Sequence, residues 1–220
     1  MDNSRINIIK EKIRKYKLIF GLSKHTKGKE KEYNWSPKPI SISEIRSVEK
    51  YHNINLPNEY KLFLTKIGNG GLGPTYYPLY SLKESIQYSE TPYFKNKFPL
   101  EKLWLRCGTQ KTWESQGYTD SYEETQKSCI NDLIFAEMLN EKDCVKNCIY
   151  DLPEKCIETD GTLLIGESGC GLDFHLVLNG KFRGEIWHSR VGGMGSYSSN
   201  YLSFIEEWLD YYLEDNAKQH

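Results

Sequence analysis

Three stretches of the chain carry apolar residues at steps of three and four, with polar or charged residues between them. Because this spacing places side chains on one face of an α-helix, it predicts a helix near the N-terminus, another in the first third and a third at the C-terminus. Lysines and arginines occupy the other faces of the first helix. In chain order the apolar positions are Ile6, Ile9, Ile13, Tyr16 and Phe20; Tyr60, Phe63, Leu64 and Ile67; and Phe204, Ile205, Trp208, Leu209 and Tyr212.

Short polar motifs predict where helices begin and end. Ser41 and Glu44 form a capping-box pattern, in which the serine hydroxyl accepts from the Glu44 amide while the carboxylate reaches back to the Ser41 amide. Ser203 and Glu206 suggest the same motif for the last helix. The glycine-rich run at 68–71 supplies the positive φ angles with which a helix ends.

The segment between these helices and the last third of the chain has a weaker pattern. We expect a short strand around residues 76–80, one or two helical turns at 82–88 and a helix over 122–140. Residues 103–105 are a short apolar run, which fits a strand and a helix equally well.

Alternation with a period of two predicts strands in the last third of the chain. Residues 172–178 and 181–187 flank the dipeptide Asn179-Gly180. This dipeptide supplies both positive-φ positions of a type I′ turn, so the pattern predicts a two-residue β-hairpin. Phe182 and Ile186 should then share one face of its second strand.

Two further features complete the predicted fold. Residues 161–166 form a compact buried strand, and a glycine-rich loop follows the hairpin at 191–195. Helices come first in the chain, antiparallel strands follow, and a helix closes it. This order predicts an α+β fold, with a mainly antiparallel sheet and helices packed around it.

Composition narrows the class of protein. The chain has 220 residues, of which 38% are hydrophobic and 13% aromatic, enough for one sizeable core. It contains no apolar run of about 18 residues and no secretory signal, so we expect a cytoplasmic protein. The basic first helix could lie on a membrane surface, but such an apolar stripe more often docks on its own domain.

Charge is balanced overall but not along the chain. The formal net charge is −1, whereas residues 1–34 carry ten basic and four acidic side chains, a net +6. Residues 112–160 carry twelve Asp and Glu against four Lys, a net −8. An acidic middle argues against a nucleic-acid partner and suits a basic protein surface. From charge alone, an ordinary solvated acidic helix and loop is the simpler interpretation.

Candidate chemistry is sparse. The run GESGCG at 166–171 has neither the Gly-Lys-Ser/Thr ending of a phosphate loop nor the Gly-x-Ser-x-Gly of a hydrolase elbow. Cys170 could act as a thiolate with His175 or His188 as its base, but no spacing brings either histidine to it. We therefore expect no catalytic residue and no cofactor.

The six cysteines lie at 107, 129, 144, 148, 156 and 170. Without an export signal, reduced thiols are the expectation. Cys144, Cys148 and Cys156 are the closest group, yet they contain no C-x-x-C pair, so a zinc site is not favoured and no metal is expected.

Several of these residues together resemble the opening of the SUKH superfamily, which includes the fungal Smi/Knr cell-wall regulators and many bacterial immunity proteins. They are Trp35, the helix at 43–49, the run LPNEYKLFL at 56–64 and Gly68-Asn69-Gly70-Gly71. Residues 166–178 are similar to the family's glycine-rich turn and strand, and 203–213 to its final helix. The resemblance covers roughly residues 35–80 and 160–213.

The resemblance implies a single SUKH-like α+β domain at 35–220, preceded by a basic helix and linker at 1–34. Residues 83–158 are expected to be an acidic insertion, longer than the family's compact core. Bacterial members of the superfamily are thought to bind and neutralise toxins, often nucleases. The resemblance thus implies a non-enzymatic immunity protein whose partner is a toxin domain with a basic surface.

The partner surface is expected to be acidic and aromatic, because carboxylates speed encounter with a basic surface and aromatic side chains supply binding energy. The candidates are Glu114, Tyr122, Glu123, Glu124, Asp132 and Glu137, with Trp187 and Tyr197 as second choices. Two other functions stay open. One is a regulatory scaffold resembling the fungal members, and the other is a small hydrolase that uses Cys170.

Overall fold

In the computed structural model, the described residues are 3–22, 38–74, 77–89, 93–118, 121–135, 148–149, 151–152, 156–190 and 192–218. They form helices and a largely antiparallel sheet, which confirms the predicted α+β fold. The helices are α1 (Asn3–Leu22), α2 (Ile42–His52), α3 (Asn58–Lys66), α4 (Leu82–Tyr88), α5 (Gln110–Ser115), α6 (Tyr122–Phe135) and α7 (Tyr201–Lys218). The strands are β1 (Gly71–Leu72), β2 (Pro78–Leu79), β3 (Leu103–Leu105), β4 (Cys148–Ile149), β5 (Thr162–Gly169), β6 (Leu172–Val177), β7 (Ile186–Arg190) and β8 (Gly193–Ser198).

The eight strands form one sheet in the order β1-β2-β5-β6-β7-β8-β3-β4. Strands β5 to β8 follow one another as an antiparallel meander at its centre. At one edge the last pair, β3 and β4, is parallel. The apolar run at 103–105, which fitted a strand and a helix equally well, is strand β3. It pairs with β8, whose Met194 is completely buried.

Both faces of the central strands are buried. Successive side chains of a strand point to opposite sides of the sheet, so neighbouring residues enter different cores. On β6, Leu176 lies in the main core with α1, α2, α3 and α7. Its neighbour Val177 lies in a second core on the other face, with Phe98 and Trp187. The rings of Phe98 and Trp187 meet edge to face with their centroids 4.8 Å apart.

Helix α1 packs against α7, which confirms that its apolar stripe docks on the same chain. Ile6 and Ile9 are buried in the main core, and the Tyr16 ring meets the Trp208 ring edge-on at 4.9 Å. Lys12 adds an ion pair, with its Nζ 2.7 Å from the Asp210 carboxylate.

Arg5 of α1 explains why the predicted cap of α7 is wrong. Its guanidinium donates to the Ser203 hydroxyl at 3.0 Å and to the Glu206 carboxylate at 2.6 Å. Both side chains therefore face α1 instead of closing a capping box. Asn200 takes the capping role, since its Oδ1 accepts from the Ser203 amide at 3.0 Å.

The capping boxes of shorter helices form as their motifs specify. At Ser41 the side chain accepts from the Glu44 amide and the Glu44 carboxylate accepts from the Ser41 amide. Ser81 and Glu84 repeat this arrangement at α4, so the predicted helical turns at 82–88 are confirmed. The predicted linker at 23–34, together with Trp35, lies outside the described residues.

The hairpin at Asn179-Gly180 exists, but its predicted two-residue turn is wrong. Residues 181–184 turn, β7 begins only at Ile186, and the Gly184 amide donates back to the Val177 carbonyl. Asn179 lacks the positive φ that a type I′ turn requires. Its side-chain amide instead donates to the carbonyls of Phe94 and Asn96.

Two other expectations about the last strands are corrected. Phe182 does not share a strand face with Ile186, because Phe182 packs on the second core while Ile186 belongs to the main core. The glycine-rich stretch at 191–195 is only in part a loop. From Gly193 onward it is strand β8, which pairs with both β7 and β3.

Among the described residues, no helix combines the length and the apolar character needed to cross a bilayer.

Candidate partner-binding surface

Helices α5 and α6 lie next to the β3–β4 edge of the sheet, and a small buried cluster holds α6 there. Cys107, Cys129 and Cys148 are buried together with Leu105. Gly192 lies directly below the helix, since a Cβ at this position would come within 2.6 Å of the Cys129 carbonyl oxygen. This close approach places α6 over the turn that connects β7 to β8.

Helices α5 and α6 carry four of the carboxylates that the sequence suggested. We call Glu114, Glu123, Glu124 and Asp132 the acidic face. The first three are exposed and Asp132 is half-buried. Glu114 accepts a hydrogen bond from Gln110 Nε2 at 2.9 Å, and within the described ranges none of the four takes part in an ion pair.

Glu123 and Glu124 also have a structural role. They lie in the first turn of α6, where the helix dipole and free amides favour negative charge. Their position is thus explained in part by the helix itself, and each would stabilise α6 by about 0.3–1 kcal/mol. Exposure without an ion pair leaves the same charges available to a partner.

Aromatic residues around the acidic face differ from the predicted set. Tyr122 is half-buried, and its hydroxyl donates to the Gly108 carbonyl at 2.8 Å, which ties α6 to the loop before α5. Tyr118, which the sequence analysis missed, is 53% exposed and stacks on Trp113 with ring centroids 4.2 Å apart. Its position beside Gly117, in a polar segment between two helices, was the available signal.

The two second choices lie elsewhere. Trp187 is 2% exposed and belongs to the second core, so its surface is not available to a partner. Tyr197 is 39% exposed but packs against Phe174 and Phe204 on the α7 side of the sheet. Glu137 lies outside the described residues.

Cys170 is exposed at the turn between β5 and β6, and the structure brings neither histidine to it. His188 Nε2 lies 2.7 Å from the Ser168 hydroxyl, and His175 Nδ1 lies 3.3 Å from the Thr162 hydroxyl. Among the described residues, no third group orients the His188 ring in this contact, because the buried His188 Nδ1 has no hydrogen-bond partner there.

A comparison with family models matches most of the chain. The model of the SMI1/KNR4 family (SUKH-1) matches residues 39–210, which include α2 to β8 and about half of α7. The chain belongs to the SMI1/KNR4 (SUKH-1) family. The resemblance to the SUKH superfamily is thereby confirmed. A comparison with curated proteins gives no match.

The five described cysteines of this SUKH chain are free thiols, as expected. The Cys107 and Cys129 thiols are buried in the same cluster, and their interaction lowers the pKa of Cys129 and raises that of Cys107. Of the predicted closest group, Cys148 is buried, Cys156 is half-buried and Cys144 lies outside the described residues. Within the described ranges, no three His, Cys, Asp or Glu side chains are close enough to hold a metal ion.

Two buried histidines make the stability of the SUKH fold depend on pH. Burial lowers the pKa of His175 to about 4, and burial with Arg190 and His175 nearby lowers that of His188 to about 3. The unfolded chain binds these protons near pH 6.5, so it holds more protons than the folded chain below that pH. Each histidine then removes about 1.4 kcal/mol of stability per pH unit as the pH falls from about 6 towards 4.

Urea unfolding at pH 7, 6 and 5 measures this effect. His188→Gln, which keeps a polar group towards Ser168, should make the loss between pH 6 and 5 smaller by about 1.4 kcal/mol. An unchanged pH dependence in this variant would contradict the assignment of His188 as a buried neutral group.

Proposed function

We propose that this chain is an immunity protein that neutralises a toxin, with a nuclease as the favoured type, by binding it directly through the acidic face. Two facts support the proposal. SUKH family members are generally non-catalytic immunity or regulatory proteins. The chain also presents carboxylates on α5 and α6 that are exposed and not ion-paired within the described residues.

The acidic face suits a nuclease for an electrostatic reason. A nuclease needs clustered lysines and arginines to bind phosphates, and a carboxylate surface competes for the same cations. Opposite charges also accelerate encounter, so an inhibitor can reach the toxin before nucleic acid does. The exposed Tyr118 ring, held by Trp113, adds an aromatic anchor of the kind that dominates binding energy at interfaces.

A regulatory scaffold that resembles the fungal regulators is the second candidate, because the family includes both kinds of protein. An immunity protein should have one partner, bound stoichiometrically, whose activity it abolishes. A scaffold should bind several partners with comparable strength and inhibit none. The hydrolase alternative predicts that Cys170→Ala abolishes function, whereas a binding protein should keep its affinity in this variant.

Reversing two charges of the acidic face tests the proposed contact. We expect Glu123→Lys combined with Glu124→Lys to slow association with the partner captured by the wild-type chain at least tenfold at low salt. The dissociation rate should change less, and the effect should shrink as salt is added. Surface plasmon resonance at two salt concentrations gives both rates.

A matched control separates a local contact from a change in net charge. Glu207 and Glu214 are exposed on α7, and reversing both changes the net charge by the same amount. The α7 variant should associate nearly as fast as the wild type. Equal slowing by both variants would exclude α6 as the contact surface. Circular dichroism must show that α6 survives, since lysines in its first turn weaken the helix.

A further inference from the structure

A polar cleft of about 230 Å³ opens where strands β5 and β6 meet the end of α4. It lies on the face of the sheet opposite α7, because its residues Asp173 and His175 alternate along β6 with Phe174, which contacts Phe204 of α7. Hydroxyl, carboxyl and imidazole groups dominate its walls: Tyr88, Tyr93, Thr159, Thr162, Asp173 and His175.

The imidazole of His175 presents a hydrogen-bond acceptor to this cleft. The Thr162 hydroxyl donates its only proton to the Thr159 carbonyl at 2.7 Å, so towards His175 it can only accept. His175 Nδ1, at 3.3 Å from that oxygen, therefore carries the ring proton. Nε2 then carries a lone pair that has no hydrogen-bond partner in the described part of the chain. The His175 side chain is only 6% exposed.

Two carboxylates add negative charge beside this acceptor. Glu167 and Asp173 lie directly opposite each other on β5 and β6, a cross-strand arrangement in which like charges repel. The Tyr80 hydroxyl donates to Glu167. The Asp173 carboxylate has neither a hydrogen bond nor an ion pair among the described residues, and burial, with Glu167 nearby, raises its pKa. A cation between β5 and β6 would offset the repulsion between the two carboxylates and would pair with the Asp173 carboxylate.

We propose that this cleft binds the guanidinium group of an arginine of the partner protein. A guanidinium has only N–H donors, arranged in a planar fork, and thus complements both the carboxylate of Asp173 and the lone pair of His175. Its weaker hydration favours it over an ammonium group in a half-buried cleft, and the Tyr88 and Tyr93 rings offer aromatic surface for the cation. The guanidinium site itself is independent of the proposed function. Only the claim that the arginine belongs to a partner protein rests on it.

Binding of a blocked arginine, N-acetyl-arginine amide, to the full chain tests the site without the partner. In ¹H–¹⁵N spectra the probe should shift the amides of Thr162, Asp173 and His175 and leave those of α6 unchanged. The citrulline analogue, which is neutral and nearly the same shape, should cause no shift at equal concentration, and the lysine analogue should bind more weakly. Equal shifts from arginine and citrulline analogues, or no shift at these amides, would overturn the proposal.

Variants locate the contact and separate it from the acidic face. Asp173→Asn should weaken arginine binding about tenfold or more, the loss expected for a charge-assisted hydrogen bond. The double variant Glu123→Lys, Glu124→Lys should bind the probe like the wild type, because α6 packs on β3, which lies three strands away from β6 in the sheet. Unaltered binding by Asp173→Asn would overturn the proposal. If that variant does not fold, the wild-type shifts alone decide.

Free arginine distinguishes the two sources of a guanidinium group. An arginine side chain of a protein predicts that the blocked residue binds at least as well as free arginine. A tenfold preference for free arginine would overturn the assignment to a protein partner and identify a small-molecule site. Unchanged inhibition of the partner by the α6 variant, with probe binding intact, would contradict the proposed contact through the acidic face and leave the guanidinium site standing, so the two ideas fail separately.

Discussion

Replacing Ile9 with alanine is expected to lower the free energy of unfolding by about 2–5 kcal/mol, the cost of deleting a fully buried aliphatic side chain. Ile9 is 0% exposed and lies on the face of α1 that packs into the main core. The cost includes both the lost burial and the cavity that remains where α1 meets α7. Urea unfolding of the two proteins measures the difference.

The neighbouring isoleucine provides the control. Ile8 is 52% exposed on the same helix, so Ile8→Ala should leave stability nearly unchanged or raise it slightly through the better helix propensity of alanine. Equal effects of the two substitutions would contradict the docking of α1 on α7. The comparison matters because the family match begins at residue 39, after α1.

Gly161→Ala is expected to destabilise the fold by about 2–5 kcal/mol through two additive causes. Gly161 has a φ of +68°, which costs an alanine about 1–2 kcal/mol. A Cβ there would also lie 2.4 Å from the Asn96 carbonyl oxygen and 2.8 Å from the Phe98 amide, closer than atoms can approach. Relieving that overlap requires a backbone shift, which adds about 1–3 kcal/mol.

The backbone contacts of Gly161 show what such a shift disturbs. Its amide donates to the Tyr93 carbonyl at 2.9 Å, and its carbonyl accepts from the Leu178 amide at 2.8 Å. Gly161 thus joins the segment that carries Phe94 and Phe98 to the end of β6. Alanine here would disturb the packing of Phe94 in the main core and of Phe98 in the second core.

Gly117 is the matched control for backbone strain alone. Its φ is +73°, close to that of Gly161, and a Cβ would meet nothing within 4 Å. Gly117→Ala should therefore cost only about 1–2 kcal/mol. Similar losses in the two variants would contradict the close packing of Gly161 against residues 96–98.

Local signals in the sequence were sufficient wherever the deciding interactions are local. The spacing of Ile6, Ile9 and Tyr16 correctly predicted the buried face of α1, and Ser41 with Glu44 correctly predicted the start of α2. Both depend on residues within a few positions of each other. The α+β class followed from the order of such elements.

Interactions between distant segments overrode the local patterns elsewhere. Asn179 has the sequence of a tight turn, yet its side chain holds the carbonyls of Phe94 and Asn96, and the hairpin loop lengthens. Ser203 has the sequence of a cap, yet Arg5 engages it from α1. The sequence around Asn179 or Ser203 does not indicate which distant residue its side chain will contact.

The candidate sites divide in the same way. The acidic face follows from composition, because Glu114, Glu123 and Glu124 lie on exposed sides of short helices. Composition does not predict the burial of Trp187 or the guanidinium cleft, since each depends on which strands pair. The acceptor of His175 arises because Thr162, across the β5–β6 pair, donates its proton to the Thr159 carbonyl and can only accept from the His175 ring.

Affinity capture from the native cell lysate tests whether the chain neutralises a toxin through the acidic face. The wild-type chain and its Glu123→Lys, Glu124→Lys variant serve as parallel baits. We expect one stoichiometric partner with a basic toxin domain. The wild type and the Glu207→Lys, Glu214→Lys control should retain it, and the α6 variant should lose it or hold much less of it. The purified partner should lose its activity when one equivalent of the wild-type chain is added. Several partners held equally by all three baits, or a partner that stays active when saturated, would contradict neutralisation through the acidic face.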